Sequence, residues 1–174
     1  MKEPTKGKLY PLLLSALVIL ADQISKLIIV SHYPLSKITR VFDGDILWIT
    51  HVRNKAIAFS LGHGLPDFVR QILFIVLPIA VLVLLMVYYF RYNDFSRLQR
   101  WAVAGIVGGG IGNIIDRIFR PEGVVDFISV NFYGLLGFDR WPTFNIADSA
   151  VVVCGILLFI SILASGRKPA EKSA

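Results

Sequence analysis

The sequence predicts an all-α integral membrane protein in which four transmembrane helices carry a small β-rich outer-face subdomain and an interfacial loop segment. Three observations support this fold class. The 174-residue chain is 55% hydrophobic and only 17% charged, whereas soluble domains average about 25% charged residues. Four separate segments are apolar over a length sufficient to cross a bilayer, which takes about 20 residues. The two segments on the outer side are rich in aromatic and β-branched residues, which favour the membrane interface and strands.

The four apolar segments define one membrane domain over residues 1–174, with spans at about 9–30, 70–90, 98–119 and 147–166. The second and fourth spans contain uncharged runs of 19 and 18 residues, at 72–90 and 149–166. No small-residue cleavage site follows the first apolar run, so we interpret it as a retained span and not as a removed signal peptide. The polar tail at 167–174 is expected to be disordered.

Basic residues predict the orientation of these spans. Nine of them lie in the two short tails and in the loop between the second and third spans: Lys2, Lys6, Lys8, Arg91, Arg97, Arg100, Arg167, Lys168 and Lys172. Since short basic segments favour the cytoplasm, both termini are expected there. The net charge of +6 is explained by these flanks, so no nucleic-acid partner is predicted.

Two longer loops, at about 31–69 and 120–146, are expected on the outer face. Within the first loop, residues 45–53 read DILWITHVR, a β-branched and aromatic run that predicts a strand or short sheet. The second loop carries six aromatic residues: Phe127, Phe132, Tyr133, Phe138, Trp141 and Phe144. Aromatic side chains of this density indicate a segment that lies along the headgroup region.

The third span is rich in glycine. Gly108 and Gly112 have the small-xxx-small spacing that allows close approach of helix backbones, which predicts helix packing. The run matches neither a dinucleotide-binding nor a P-loop motif. Counting in steps of four residues, Gly105, Gly109, Asn113 and Arg117 share one helix face, so a narrow strip leads to an amide and a guanidinium.

Charged residues within the first and third spans need partners, because isolated charges are costly in hydrocarbon. Asp22 and Lys26 are four residues apart on one helix face and can pair. Such a pair can be purely structural. Asp116 and Arg117 close the third span, where a simple salt bridge between them is one interpretation.

Two further carboxylates, Asp126 and Asp148, lie at the same outer boundary of the membrane. If the third and fourth spans are neighbours, the two side chains can meet. When two carboxylates share a site, ionising both costs free energy, because the two negative charges repel. The pKa of one carboxyl group therefore rises, and the pair holds one proton. The ionised member can polarise a water and the protonated member can donate to a carbonyl oxygen, which predicts peptide hydrolysis without a metal. Each Asp could instead cap a helix N-terminus.

Other chemistries have less support. The three histidines, His32, His51 and His63, lack the spacing of metal ligands, so no metal and no cofactor is predicted. Ser149 has no nucleophile elbow, and Cys154 is interpreted as a packing residue. A carrier or channel subunit, or a structural partner that docks through the glycine strip, remains a rival interpretation. However, a conduction path would carry polar residues along a whole span, whereas here they cluster at one boundary.

Several motifs occur together in a specific order. They are Asp22-Gln23-x-Ser25-Lys26, Asn54 with Ala58-Phe59-Ser60, Gly112-Asn113-x-x-Asp116-Arg117, Val124-Val125-Asp126-Phe127 and Phe144-Asn145-x-Ala147-Asp148-Ser149. Over nearly its whole length the chain resembles the lipoprotein signal peptidases, also called signal peptidase II. The resemblance implies a bacterial inner-membrane aspartic endopeptidase with its site near the periplasmic face. It implies a diacylglyceryl prolipoprotein substrate cut just before the lipidated cysteine, contact with membrane lipid, and inhibition by globomycin.

The same resemblance implies roles for nine residues. The catalytic pair would be Asp126 and Asp148. The substrate-binding positions would be Asn113, Arg117, Asn145 and Asn54, and the supporting positions would be Asp22, Lys26 and Asp116. One loop departs from the family pattern Asn-x-Gly-Ala, since this chain reads Asn54-Lys55-Ala56-Ile57. Alanine permits fewer backbone conformations than glycine, so the family pattern does not fix the path of this lid or its substrate contacts, whereas the dyad is unaffected.

Overall fold

The computed structural model describes residues 5–41, 45–55 and 65–165. The predicted tail at 167–174, the lid around Ala56 and the motif residues Ala58, Phe59 and Ser60 lie outside the described residues. The helices are α1 Thr5–Leu9, α2 Leu12–His32, α3 Asp67–Arg91, α4 Arg97–Phe119 and α5 Ile146–Ser165. The strands are β1 Ile38–Arg40, β2 Leu47–Asn54 and β3 Val124–Val130, followed by a 3-10 turn at Leu135–Gly137.

Among the residues that the structure describes, four helical stretches are long and apolar enough to cross a membrane: Gly7–His32, Asp67–Arg91, Arg97–Phe119 and Ile146–Ser165. Together with the small sheet they confirm the predicted fold class. Many large apolar side chains on these helices point outward, among them Leu17, Leu84 and Phe159, each more than 60% exposed. Such a surface is stable only in an apolar solvent.

Helix α4 forms the centre of the bundle and packs against α2 and α5. Its most apolar stretch is 56% buried within the protein, against 6% for α5. The glycines make this possible: a Cβ at Gly108 would lie 2.8 Å from the backbone of Ser15 on α2. A Cβ at Gly105 would collide with Cys154 on α5. The predicted close helix packing is therefore confirmed, and Cys154 is one of its packing residues.

The first turn of α4 differs from the sequence interpretation. Ser96 caps the helix in a reciprocal box with Gln99, so Arg97 and Arg100 lie inside the helix and not in the preceding loop. Arg100 is only 1% exposed, and its guanidinium lies 5.5 Å from the centre of the Tyr89 ring. Lys8 donates from Nζ to the carbonyl oxygens of Phe90 and Tyr92, which satisfies the C-terminal end of α3.

The three strands form one antiparallel sheet in the order β1-β2-β3. It lies at the end of the bundle where α2 and α4 end and α3 and α5 begin, which we call the sheet end. The strand predicted at 45–53 is present as β2. Strand β3 lies inside the loop predicted at 120–146, although its sequence VVDFISV has the β-branched content of a strand. Val125 and Phe127 pack against Ile29 of α2 and anchor the sheet to the bundle.

A β-bulge in β2 controls which side chains share a face of the sheet. Ile49 pairs with Ile128, but Val52 pairs with Asp126, so β2 contains one extra residue between these pairs. Because strand side chains alternate, a one-residue slip moves each following side chain to the other face. The bulge therefore places Asn54 on the face of Asp126.

Candidate active site

The N-terminus of α5 is built by a reciprocal hydrogen-bonded box. The backbone N–H of Asp148 donates to Oδ1 of Asn145 at 2.9 Å, and the backbone N–H of Asn145 donates to Oδ2 of Asp148 at 3.2 Å. This is the geometry of a capping box, in which side chains satisfy the first backbone donors of a helix. Oδ2 of Asp148 therefore acts as a helix cap, as one interpretation of the sequence proposed, whereas Oδ1 faces the rest of the site.

Asp126 lies in β3 and is only 2% exposed, so it does not cap a helix. Its Oδ1 accepts from Nδ2 of Asn145 at 2.8 Å, and its Oδ2 accepts from Nδ2 of Asn54 at 3.0 Å. Burial, and after it the negative charge of Asp148, raise the pKa of Asp126 to about 7, although the two amide hydrogen bonds and the charge of Lys26 lower it. The carboxyl group can therefore hold a proton near neutral pH.

Asn113 on α4 completes the link between the carboxylates. Its Nδ2 donates to Oδ1 of Asp148 at 2.7 Å. Its Oδ1 accepts from Nδ2 of Asn145 at 3.1 Å and from Nζ of Lys26 at 3.1 Å. The structure thus brings Asp126, Asp148, Asn145, Asn113 and Lys26 into one hydrogen-bonded network, to which strand β3 and three helices contribute.

Beneath this network lies a fully buried ion cluster. Nζ of Lys26 is 2.7 Å from Asp22 and 3.1 Å from Asp116, and all three side chains are fully shielded from solvent. Asp116 also pairs with Arg120. Two carboxylates thus face two cations, and such matching reduces the cost of burying charge.

The salt bridge considered between Asp116 and Arg117 is not formed among the described residues. Consecutive residues of a helix do not face each other, so Asp116 points to α2 and Arg117 points elsewhere. The guanidinium of Arg117 lies 5.9 Å from the centre of the Phe74 ring on α3. It lines a cavity of about 420 Å³ together with Asn54, Arg70 and Phe74.

Sequence reasoning missed several of these residues. Gln23 bridges the ion cluster, since its Nε2 lies 3.1 Å from both Asp22 and Asp116. The sequence feature that could have identified Gln23 is its position beside Asp22 in a motif. Arg70 and Phe74 gave no signal, because they reach the cavity only through the packing of α3 on α4.

The residues considered for other chemistries lie in structural roles where the structure describes them. Oγ of Ser149 donates to the carbonyl oxygen of Asn145, and a ring nitrogen of His51 bonds the carbonyl oxygen of Tyr33. His63 lies outside the described residues. Within residues 5–41, 45–55 and 65–165, no group of three His, Cys, Asp or Glu side chains is arranged for a metal.

Four helices of membrane length with two carboxylates linked through amides at one end are typical of a membrane-embedded peptidase of the aspartic class, since paired carboxylates activate water. The model of the family described as Signal peptidase (SPase) II matches residues 14–164. The chain therefore belongs to the signal peptidase II family, and the predicted family and peptidase class are confirmed.

Similar proteins cover most of the chain. A lipoprotein signal peptidase of Treponema pallidum (strain Nichols) is 46% identical over 158 residues, which are 91% of this chain and 85% of the relative. The Treponema denticola protein of the same name is 46% identical over 91% of each chain. Among solved structures, a bacterial membrane enzyme determined by the in meso method has a TM-score of 0.81 and 28% identity, covering 95% of this chain and 94% of that one.

Proposed function

We propose that this protein removes the signal peptide from diacylglyceryl-modified prolipoproteins by cutting just before the lipidated cysteine. The observation that carries this proposal is the amide-linked carboxylate pair, Asp126 and Asp148, at the membrane-boundary end of the bundle. The similar proteins of Treponema are lipoprotein signal peptidases, which supports the substrate class. The family resemblance of the motifs supports the cleavage position.

In the proposed reaction, a water between the two carboxylates attacks the scissile carbonyl carbon. Charged Asp148 accepts a proton from this water, while protonated Asp126 donates its proton to the carbonyl oxygen. When the tetrahedral intermediate collapses, the C–N bond breaks and the departing nitrogen takes a proton from Asp148. The proton on the former carbonyl oxygen returns to Asp126, and the dyad regains its starting state.

The raised pKa of Asp126, about 7, supports this division of roles. Asp126 is almost fully buried, whereas Asp148 is half-buried and begins a helix. The N-terminus of a helix favours negative charge through its dipole and free N–H groups. Asp148 is therefore the member suited to act as the base.

We further propose that the substrate backbone contacts Asn54, Asn113, Arg117 and Asn145. Arg117 borders the cavity of about 420 Å³, and Asn54 lies in the same wall while bonding Asp126. A peptide bound along this cavity would therefore pass beside the dyad. A globomycin-type inhibitor would occupy the same place.

The position of the dyad fits a substrate held in a bilayer. The lipid chains on the cysteine and the signal peptide would stay in the membrane, so the bond arrives at the boundary. The basic flanks support a cytoplasmic position for both termini, and the sheet end would then lie on the periplasmic side of the inner membrane. The sheet would cover the peptide from above.

Purified protein in lipid bilayers, mixed with precursor that carries or lacks the diacylglyceryl group, tests this function. We expect cleavage of the lipidated precursor before its cysteine, inhibition by globomycin and no effect of EDTA. Cleavage of the unlipidated precursor at the same rate would contradict the proposed specificity. Loss of activity in EDTA would point to a metal.

A further inference from the structure

The ammonium group of Lys26 lies between α2 and α4, out of contact with solvent. The side chain is fully shielded from solvent and pairs with Asp22 and Asp116. A purely structural ion pair needs no further contact, yet Nζ also donates to Oδ1 of Asn113 at 3.1 Å. That amide in turn contacts Asp148. The cluster therefore reaches a carboxylate of the dyad through a single side chain.

We infer that Lys26 is a positioning residue of the reaction, because with Asp22 it fixes the direction of the Asn113 amide and the start of α5 around Asp148. An ammonium group only donates hydrogen bonds, so Asn113 must turn its oxygen toward Lys26. Its NH₂ group then faces Asp148. In the reversed orientation, the amide oxygen would face the carboxylate and repel it.

The Asp22 side of the pair acts on the other side of Asp148. Oδ1 of Asp22 accepts from the backbone N–H of Ala147 at 3.0 Å, one residue before Asp148. This contact requires close packing, since a Cβ at Gly112 would lie 2.8 Å from Oδ2 of Asp22 and 3.2 Å from Cβ of Ala147. One ion pair on α2 thus orients Asp148 through both α4 and α5.

The charge of Lys26 also acts on Asp126. Burial and then the negative charge of Asp148 raise the pKa of Asp126, whereas hydrogen bonds from Asn54 and Asn145 and the charge of Lys26 lower it. The charged groups that act on the dyad directly or through the ion cluster are Lys26 and Asp22 on α2, Arg117 and Asp116 on α4, and Arg120 after it. Removing the ammonium charge should raise the pKa of Asp126 further.

This inference rests on the proposed function and is tested with the same cleavage assay. The double variant Asp22→Asn/Lys26→Met removes the pair with side chains of similar size and leaves Asp116 paired with Arg120. We expect kcat to fall about 10²-fold, the loss that a misplaced catalytic group causes, with little change in KM. The alkaline limb of the pH–rate profile should move to higher pH.

A second variant separates the hydrogen bond from the charge. Asp22→Asn/Lys26→Gln offers Asn113 an uncharged donor, so we expect it to recover most of kcat while keeping the shifted limb. Ser15→Ala is the matched control, because it removes another buried contact between α2 and α4, from Oγ to the carbonyl oxygen of Ala104 at 2.6 Å. We expect its kcat and pH profile to match the wild type.

Two outcomes would overturn the inference while the wild type still cleaves the lipidated precursor. In one, the Met variant keeps the wild-type kcat and the wild-type alkaline limb of the pH–rate profile. In the other, the Met and Gln variants lose kcat equally.

NMR of ¹⁵N-asparagine-labelled protein tests the amide direction even if the Met and Gln variants do not fold. Asp148→Asn should change the chemical shifts of the Nδ2 protons of Asn113, and unchanged chemical shifts would contradict the amide direction. Failure of the wild type to cleave that precursor would instead contradict the proposed function.

Discussion

The side-chain amide of Asn145 donates a hydrogen bond to Asp126, with 2.8 Å between Nδ2 and Oδ1. Asn145 is fully buried, and its Oδ1 accepts the backbone N–H of Asp148. The side-chain amide therefore connects the carboxylate of Asp126 on a strand to the backbone N–H of Asp148 at the start of a helix, and the backbone N–H of Asn145 donates to the Asp148 carboxylate. Because each atom of this amide has a fixed partner, the two acids hold a defined relation before substrate arrives.

The first prediction concerns the pH dependence of cleavage. If the protonated form of Asp126 is active, kcat/KM falls as pH rises through about 7, by about tenfold per pH unit beyond it. Asn54→Ala removes a hydrogen bond that lowers the pKa of Asp126. The alkaline limb of the pH–rate profile of this variant should therefore lie at higher pH than that of the wild type. Cleavage rates on lipidated precursor between pH 5 and 9 measure the alkaline limb of the pH–rate profile for the wild type and for the variant. A rate that increases through pH 7 would refute the assignment of the proton to Asp126.

The second prediction concerns the dyad itself. Asp126→Asn and Asp148→Asn each remove an acid or base, which contributes about 10² to 10⁴-fold to a rate, and we expect cleavage to fall by at least that factor. Asp139→Asn is the matched control, because Asp139 is an exposed carboxylate of the same loop region. Membrane insertion, measured by cell fractionation, should be the same for all three variants. Full turnover by either dyad variant would show that its carboxylate is not catalytic.

The third prediction concerns stability. Asp126 has an ordinary pKa of 3.8 and a folded-state pKa of about 7, so between these values the folded protein holds a proton that the unfolded chain has released. Its contribution to the free energy of unfolding is complete below pH 3.8 and is lost as pH rises to about 7. Asp126→Asn removes this dependence, so its Tm should exceed that of the wild type by more at pH 8 than at pH 5. Thermal unfolding in detergent checks this, and a gain that shrinks with pH would contradict it.

The fourth prediction concerns the contact between α4 and α5. A Cβ at Gly109 would lie 2.3 Å from the carbonyl oxygen of Ala147, next to Asp148. Gly109→Ala should therefore cost about 1–3 kcal/mol of stability through overpacking and lower kcat. At Gly155, on the same pair of helices, a Cβ would meet nothing within 4 Å. Gly155→Ala should keep the wild-type Tm and kcat, and equal losses in both variants would argue against a local clash.

Much of the fold could be predicted from the sequence because hydrocarbon imposes strict rules. Backbone groups in a bilayer must be satisfied within helices, so apolar length alone reveals four spans. Strand β3 was missed because a seven-residue, mostly apolar segment next to a span is equally consistent with an interfacial loop. Only its pairing with β2 decides between the two. The roles assigned to the nine site residues stay predictions.

By itself the sequence determined the membrane solvent, the four spans, the family and the clustering of polar residues at one boundary, since composition and motif order are local properties of the chain. Tertiary structure decided which polar groups meet. The bulge in β2 brings Asn54 to the face of Asp126, and the packing of α2 on α4 pairs Asp116 with Lys26 instead of Arg117. The physical reason is that hydrogen bonds and ion pairs depend on ångström-scale register and helix rotation, which are set only when distant elements pack together.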